Sequence, residues 1–599
     1  MIIDLTSQLK PKRFVFCTAM IASIFSMAPA NAEIETTFNT TLSYGISKRM
    51  ESQDPALIGP GNLADGTGAT VTAEDGNLNF DKGDIFSNAI KGSSELQIDG
   101  DTHGAFVRVK YWQDMALEGK KFAHGHDNND WAPDSKLDDG DFNDYAKFSG
   151  FEFLDAFVYG SYEVGDKPVD VRLGRQVVNW GENIFFFGVN QVNPIDVSAV
   201  RRPGFEVKEA LLPVNMLYAS IGATDNLNVS AFYQLEWEKT PIDGCGTYFS
   251  SVDFVAEGCD RALVGGGAGL SDIQSAALAS VARDPNDLEP DDNGQFGLAL
   301  RYYADSVDTE FGFYYQNLHS RTPVLSVRYS ADAVADGTVL SGTPAPAYYR
   351  VDYPEDTKII GASLSTTLGT VAFGAEMSIK KDVAIGINGN AILKGGLGAL
   401  AGACAAPDPG ALIGPFADKS CPALAEFGAT GDGVALGYDL FDVYQVQMSG
   451  IQLINQTMGA SSLVLLGELA FIHVSGLGDD MPYGRNPVFG DPLALDPVNG
   501  SDDGLVTDNS WGYRARAVWT YPNAFAGVEL SPFVALSHDV DGTSPGPTFD
   551  EGRKSYGVGI NASYQSKYRA GLSYTTFDGG LANAIEDRDF MSLNVSMDF

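Results

Sequence analysis

The sequence predicts an all-β fold: a single transmembrane β-barrel of about 18 antiparallel strands, with long extracellular loops and short periplasmic turns. Three observations predict it. Segments of strict apolar–polar alternation recur, most clearly in "FMSLNVSMDF", where Met591, Leu593, Val595, Met597 and Phe599 alternate with Ser592, Asn594, Ser596 and Asp598. The connections between such segments are alternately long and tight. Lastly, the 599-residue chain has neither an apolar run in its mature part long enough for a spanning helix nor a Pro- or Ser-rich linker to divide it into soluble domains.

Taken in order, Lys10, Lys12 and Arg13 precede an apolar run from Phe14 to Met27, and "APANA" follows. This reads as a cleaved signal peptide over residues 1–32, the run being shorter than the roughly 20 residues a spanning helix needs. Residues 33–599 are then the barrel. In its first strand Phe38, Leu42, Tyr44 and Ile46 share one face, with Asn39, Thr41, Ser43 and Ser47 on the other. In "GAFVRVKYW", Ala105, Val107, Val109 and Tyr111 oppose Arg108 and Lys110. Charge inward and apolar surface outward fit a wet interior surrounded by lipid.

The alternation places strands near 35–48, 84–98, 104–113, 152–164, 168–179, 213–223, 227–238, 294–303, 309–319, 357–367, 371–381, 438–452, 460–474, 510–520, 525–538, 553–565, 568–577 and 587–599. Long loops are expected at about 49–83, 114–151, 180–212, 239–293, 320–356, 382–437 and 475–509. The tight turns include "DGDTH", "VGDKP", "TDN", "ADSVD", "YPNA" and "QSK".

The formal net charge is −39, which excludes a basic nucleic-acid surface. The acidic residues crowd into loops such as "DDGDFNDY" and read as solvated surface. Cys17 leaves with the signal, and Cys245 with Cys259 and Cys404 with Cys421 form two local pairs. Neither has zinc-site spacing, so two disulfides are expected in an oxidising compartment. Within one loop, Ser271 and Gln274 in "SDIQSAALASVA" form a capping-box pattern that starts a short helix over the mouth.

The loop 180–212 is unusually apolar. Phe185, Phe186, Phe187, Val189, Val192, Ile195 and Val197 would form an unfavourable patch in water. Folding the loop back into the lumen removes them from it and narrows the bore. Arg201 and Arg202, near Glu206 and Glu209, are then anion contacts, and the three phenylalanines are an apolar slide beside them. Arg172, Arg175, Trp180 and Glu182 belong to the same wall. The alternative is an ion-paired strut that only braces the barrel.

No enzyme chemistry and no cofactor is expected. Of His103, His124, His126, His319, His473 and His538, the best cluster is His538 with Asp539 and Asp541 at a strand-to-loop transition, where polar groups ordinarily satisfy backbone. For metals, "HGHDNND" offers His124, His126 and Asp127. Asp139, Asp141 and Asn143 resemble the start of a calcium loop without its sixth-position glycine and twelfth-position glutamate.

The motifs "LGRQVVNWGEN", "NPIDVSAVRRPG", "KEALLPVNMLYASIG", "TDNLNVSAFYQLEWEKTPIDGCGTYFS" and "FAGVELSPFVALSHDVDGTSPGP" strongly resemble the proteobacterial family catalogued as domain of unknown function 1302. The resemblance runs from about Glu33 to Phe599. It implies a Gram-negative outer-membrane barrel that conducts a hydrophobic or amphiphilic small molecule, lipid-, sterol- or hydrocarbon-like. The partners it implies are outer-membrane lipid, a periplasmic lipoprotein-like protein and an inner-membrane transporter of the RND type. The terminal Phe599 resembles the ending that barrel-assembly machinery reads. Two other functions stay open: a general or anion-selective hydrophilic porin, to which the GRQ…WGE element is also similar, and a surface receptor or adhesin built on the loops 239–293 and 382–437.

Overall fold

The computed structural model describes residues 34–125, 135–265, 268–478, 480–490, 502–546 and 548–599. The expected signal peptide, together with His126 and Asp127, lies outside the described residues. Eighteen strands, β1 to β18 in chain order, form the main sheet: Glu35–Arg49, Ile85–Asp99, His103–Asp114, Ser149–Val164, Lys167–Gln176, Val214–Thr224, Leu227–Gln234, Phe296–Ala304, Thr309–Leu318, Thr357–Leu368, Val371–Gly386, Tyr438–Asn455, Ser462–Ser475, Asn509–Phe525, Val528–Asp541, Lys554–Tyr564, Tyr568–Asp578 and Phe590–Asp598. Each pairs antiparallel with its neighbours in sequence. The ring closes where β1 meets β18, from Thr41 opposite Asp598 to Arg49 opposite Phe590. Closure leaves no strand edge unpaired, the condition for crossing a bilayer with strands.

The faces follow the alternation. Phe38, Ile90, Leu217, Leu298, Phe313, Met377, Met448, Phe471, Val558 and Leu593 stand exposed on the outside, while Lys91, Lys110, Glu376, Gln447 and Glu468 are buried inside. No described helix is long and apolar enough to cross a membrane. The strands carry that role.

The turn expected at "YPNA" falls elsewhere. β14 and β15 run on past Pro522 and reverse at Ala526 and Gly527, both at positive φ, with Asn523 accepting the Gly527 N–H at 2.9 Å. The Pro-Asn pair instead sits in a register irregularity between Tyr521 and Phe525. "QSK" does reverse the chain, on Gln565 and Ser566 at positive φ.

The long connections also hold structure of their own. Segments Arg261–Leu263, Ala279–Arg283, Val324–Ser330, Val339–Leu340, Thr343–Pro344, Ala347–Asp352 and Asp432–Ala435 form a second, 7-stranded sheet outside the barrel. Helices Gly389–Leu400 and Ala417–Thr430 pack beside it around Ile392, Phe416 and Tyr329. The loops therefore form a cap whose apolar core runs on into the barrel through Phe186, Val443, Ala470 and Ile472. Both expected disulfides are present within it, Cys245–Cys259 and Cys404–Cys421. The capping box at Ser271 starts helix Asp272–Leu278 as expected.

Candidate functional site: a loop across the bore

The connection 177–213 leaves the outer end of β5 and turns into the barrel. Its neck is tied by one residue. Asn193 accepts the Val178 N–H at 2.9 Å and donates to the carbonyls of Gln176 at 3.2 Å and Leu212 at 2.9 Å. This bond also explains why β5 stops at Gln176 rather than near 179: Val178 gives its N–H to a side chain and not to the sheet.

The first lobe, 178–192, reaches β11 to β13, which lie six to eight places round the 18-stranded ring from β5. Glu376 on β11 accepts the N–H groups of Glu182 at 3.0 Å and Val189 at 2.6 Å. Glu468 on β13 accepts those of Ile184 at 3.2 Å, Phe185, and Phe186 at 2.9 Å. Gln447 on β12 and Lys380 on β11 donate to the carbonyls of Phe186 and Phe187 at 3.0 and 3.3 Å. Two glycines make the fit possible. A Cβ at Gly181 or at Gly188 would stand 2.1 Å from a Glu376 carboxylate oxygen, and Gly181 has φ +92°. Trp180 packs on Phe232 and Tyr314, and Phe186 is buried against Phe549 with Arg514 over its ring at 4.9 Å. Phe185 and Phe187 remain exposed.

The second lobe, 195–211, reaches the other way round the ring. Asp196 caps helix Val197–Arg201 and takes the Lys110 ammonium of β3. Glu209 pairs with Lys91 of β2 at 2.7 Å, both side chains buried. Lys208 pairs with Glu95 of β2 at 3.0 Å, and Glu206 with Arg569 of β17 at 2.9 Å. Pro203 lies over Gly45 of β1, where a Cβ would come within 2.7 Å. Gly45, Lys91, Glu95 and Lys110 lie within their strands and Arg569 is the second residue of β17, next to a tight turn, so the loop crosses the bore deep inside the barrel.

The arginines and the phenylalanines do not share one constriction. Arg201 pairs with Asp243 of the 235–295 connection and lies over Phe249 at 4.9 Å. Arg202 donates to the carbonyls of Tyr145 at 2.8 Å and Lys147 at 3.3 Å, over the Trp112 ring. Neither is paired with Glu206 or Glu209: Glu206 meets Arg569 of the wall and Lys208 of its own loop, and Glu209 meets Lys91 of the wall. The reason is reach: the helix turns both arginines up toward the external loops, while the aromatic lobe lies across the bore. Arg172 faces inward over Tyr218 at 4.3 Å, and Arg175 is buried under the cap, paired with Glu236 at 2.8 Å and Glu238 at 3.2 Å.

What the loop leaves open is a cavity of about 500 Å³ between the second lobe and the wall β14–β18, lined by Arg202, Phe205, Arg516, Phe533, Asn561 and Asn594 among others. Arg516, on β14, is exposed and lies over the Phe533 ring at 4.5 Å. It makes no ion pair among the described residues. Glu206 is the one carboxylate among the described lining residues, against Arg201, Arg202, Arg516 and Arg569. Arg516, Arg569, Glu376 and Glu468 are not among the residues expected from the loop motifs, although alternation alone puts each on the inner face.

The other motifs have local roles. Asp539 binds Arg514 at 2.6 Å and Arg553 at 2.8 Å, and His538 meets the Tyr513 hydroxyl at 3.3 Å. Asp139 accepts the Phe148 N–H at 2.7 Å, while Asn143 accepts the Tyr145 N–H and donates to Glu257. Asp139 and Asn143 thus support turns of the 115–148 connection.

A family model described as a protein of unknown function, DUF1302, matches residues 13–599. A comparison with curated proteins finds no relative of significant similarity. Among solved structures the chain is similar to OccAB1 of Acinetobacter baumannii, at 11% identity and TM-score 0.40 over 94% of this chain and 96% of that one. OccAB4 of the same organism has 9% identity and TM-score 0.41 over 96% and 99% of the two chains. The outer membrane protein OpdK of Pseudomonas aeruginosa has 9% identity and TM-score 0.37 over 94% and 99%. Likenesses this low carry nothing about function.

Proposed function

The chain belongs to the DUF1302 family, and on that premise we propose that it is an outer-membrane channel narrowed by its own loop 177–213 to an arginine-lined passage for small molecules with an apolar body and an anionic end. The observation that carries this reading is Arg516. In a chain of net charge −39, an exposed cation without an ion-pair partner among the described residues faces the cavity beside an aromatic ring. A carboxylate can dock on the guanidinium, where charge-assisted hydrogen bonds are strong, while Phe533 and Phe205 take the apolar body. Arg202 and Arg569 extend the positive wall. Their other bonds hold them in place, so they act through their field. Phe185 and Phe187 offer apolar surface at the other lobe. Assistance by a periplasmic lipoprotein-like partner and an RND-type transporter is part of this reading and rests on the family resemblance alone.

A second reading, a hydrophilic anion-selective porin, draws on the same arginines with Asn561, Asn594 and the serines of the lining. Reversal potentials and vesicle uptake separate the two. The proposal expects anion selectivity that falls in Arg516→Ala, with uptake of a medium-chain alkyl carboxylate exceeding that of chloride-sized or sugar solutes relative to their diffusion in water. Cation selectivity, or carboxylate uptake unchanged by Arg516→Ala, overturns it. Uptake that simply declines with solute size supports the porin.

A further inference from the structure

We propose that Asp75, His124 and Asp272 hold one divalent transition cation, of the zinc or manganese class, that ties three external loops together. The three residues come from the separate connections 50–84, 115–148 and 235–295. Their ligand atoms nevertheless all lie within 4.8 Å of one another, so small side-chain rotations bring them onto one ion. Nδ1 of His124 is 2.7 Å from a carboxylate oxygen of Asp272. Both aspartates are fully buried, at 0% and 1% exposure, where carboxylates are held by paired groups or by a metal ion.

The surroundings orient the donors in the way a metal site requires. Asn62 donates to one oxygen of Asp272 at 2.7 Å and accepts its N–H at 3.1 Å, which turns the other oxygen toward His124. Asn79 accepts the His124 N–H at 3.0 Å and donates to its carbonyl at 2.6 Å, fixing the backbone beneath the imidazole. Asp253 accepts the N–H of Asp75 at 3.1 Å and that of Glu74 at 2.6 Å, setting the direction of the short helix that Asp75 begins. Asp272 is held by its own helix start, where Ser271 and Gln274 cap each other's backbone. Imidazole with two carboxylates is a nitrogen–oxygen donor set, favoured by zinc and manganese over copper(I) or an iron–sulfur cluster. Three protein ligands leave a position for water. The 115–148 and 235–295 connections are also the ones that hold Arg202 and Arg201, so the cation would brace the outer rim of the passage.

The test uses the full chain in detergent micelles, stripped with a chelator and then given zinc or manganese salt, with bound metal per chain measured after gel filtration and by calorimetry. The expected result is about one equivalent per chain, with affinity lowered roughly tenfold or more in His124→Ala and in Asp272→Asn. Heat-modified migration confirms that each variant still folds as a barrel. Limited proteolysis gives a second readout, in which added metal protects the 115–148 connection in the intact chain and not in the variants. Absence of stoichiometric uptake by a folded chain, or uptake unaffected by both substitutions, overturns the proposal.

Discussion

Replacing Glu468 by alanine weakens the far wall's hold on the tip of the loop, leaving the bonds that Gln447 and Lys380 donate to the carbonyls of Phe186 and Phe187. In the intact chain one carboxylate collects the N–H groups of Ile184, Phe185 and Phe186. A hydrogen bond to a charged group contributes about 1.5–3 kcal/mol, and three that share an acceptor add incompletely. Water that replaces the carboxylate recovers part of the loss, which leaves about 3–4 kcal/mol. At about 1.4 kcal/mol per tenfold, the ratio of released to held tips rises on the order of 10²–10³-fold. The base of the lobe stays in place, because Glu376 still holds Glu182 and Val189. The assay is single-channel recording in a planar bilayer. Glu468→Ala should show large-conductance dwells far more often than the intact chain. Glu468→Gln keeps an acceptor oxygen but gives up the charge, and bonds about half as strong predict an intermediate frequency. A recording of Glu468→Ala indistinguishable from the intact chain would refute the reasoning, since the carboxylate would then not be what holds the tip.

Gly181→Ala should release the same lobe by another route, because its Cβ meets Glu376 at 2.1 Å and its φ of +92° strains any side chain; the check is more frequent large-conductance dwells with Glu468 intact. Lys91→Met leaves Glu209 buried without its partner and should cost about 3–5 kcal/mol, read as a lower urea midpoint of barrel unfolding. Cys404→Ser with Cys421→Ser removes a loop staple typically worth about 2–4 kcal/mol, and should make the 387–437 connection protease-sensitive while heat-modified migration stays normal.

The barrel was legible because lipid outside and water inside impose a period of two on every strand, and that pattern is written locally. All the expected strands have counterparts, from Glu35–Arg49 to Phe590–Asp598, with boundary shifts of a few residues. The inward fold of 177–213 was legible for a related reason, since a run holding Phe185, Phe186 and Val189 has no stable place in water. Partner choice was not. Arg201 and Arg202 stand near Glu206 and Glu209 in sequence, yet pair with Asp243 and the carbonyls of Tyr145 and Lys147, because helix Val197–Arg201 directs them outward. The cap sheet was missed because its strands are short, and although "VLSVRYS" and "AYYRVD" pair with each other within one connection, their second partners, Asp432–Ala435 and Ala279–Arg283, come from other loops. His124 stood out in its motif, while Asp75 and Asp272 come to it from 49 and 148 residues away along the chain.

Whether the protein's own loop bars its bore is decided by single-channel conductance of the intact chain beside one shortened over 184–205. A barred bore gives a small conductance for the intact chain and a large, steady one after shortening, with both proteins showing the heat-modified migration of a folded barrel. A large, steady conductance in the intact chain that shortening leaves unchanged would contradict it.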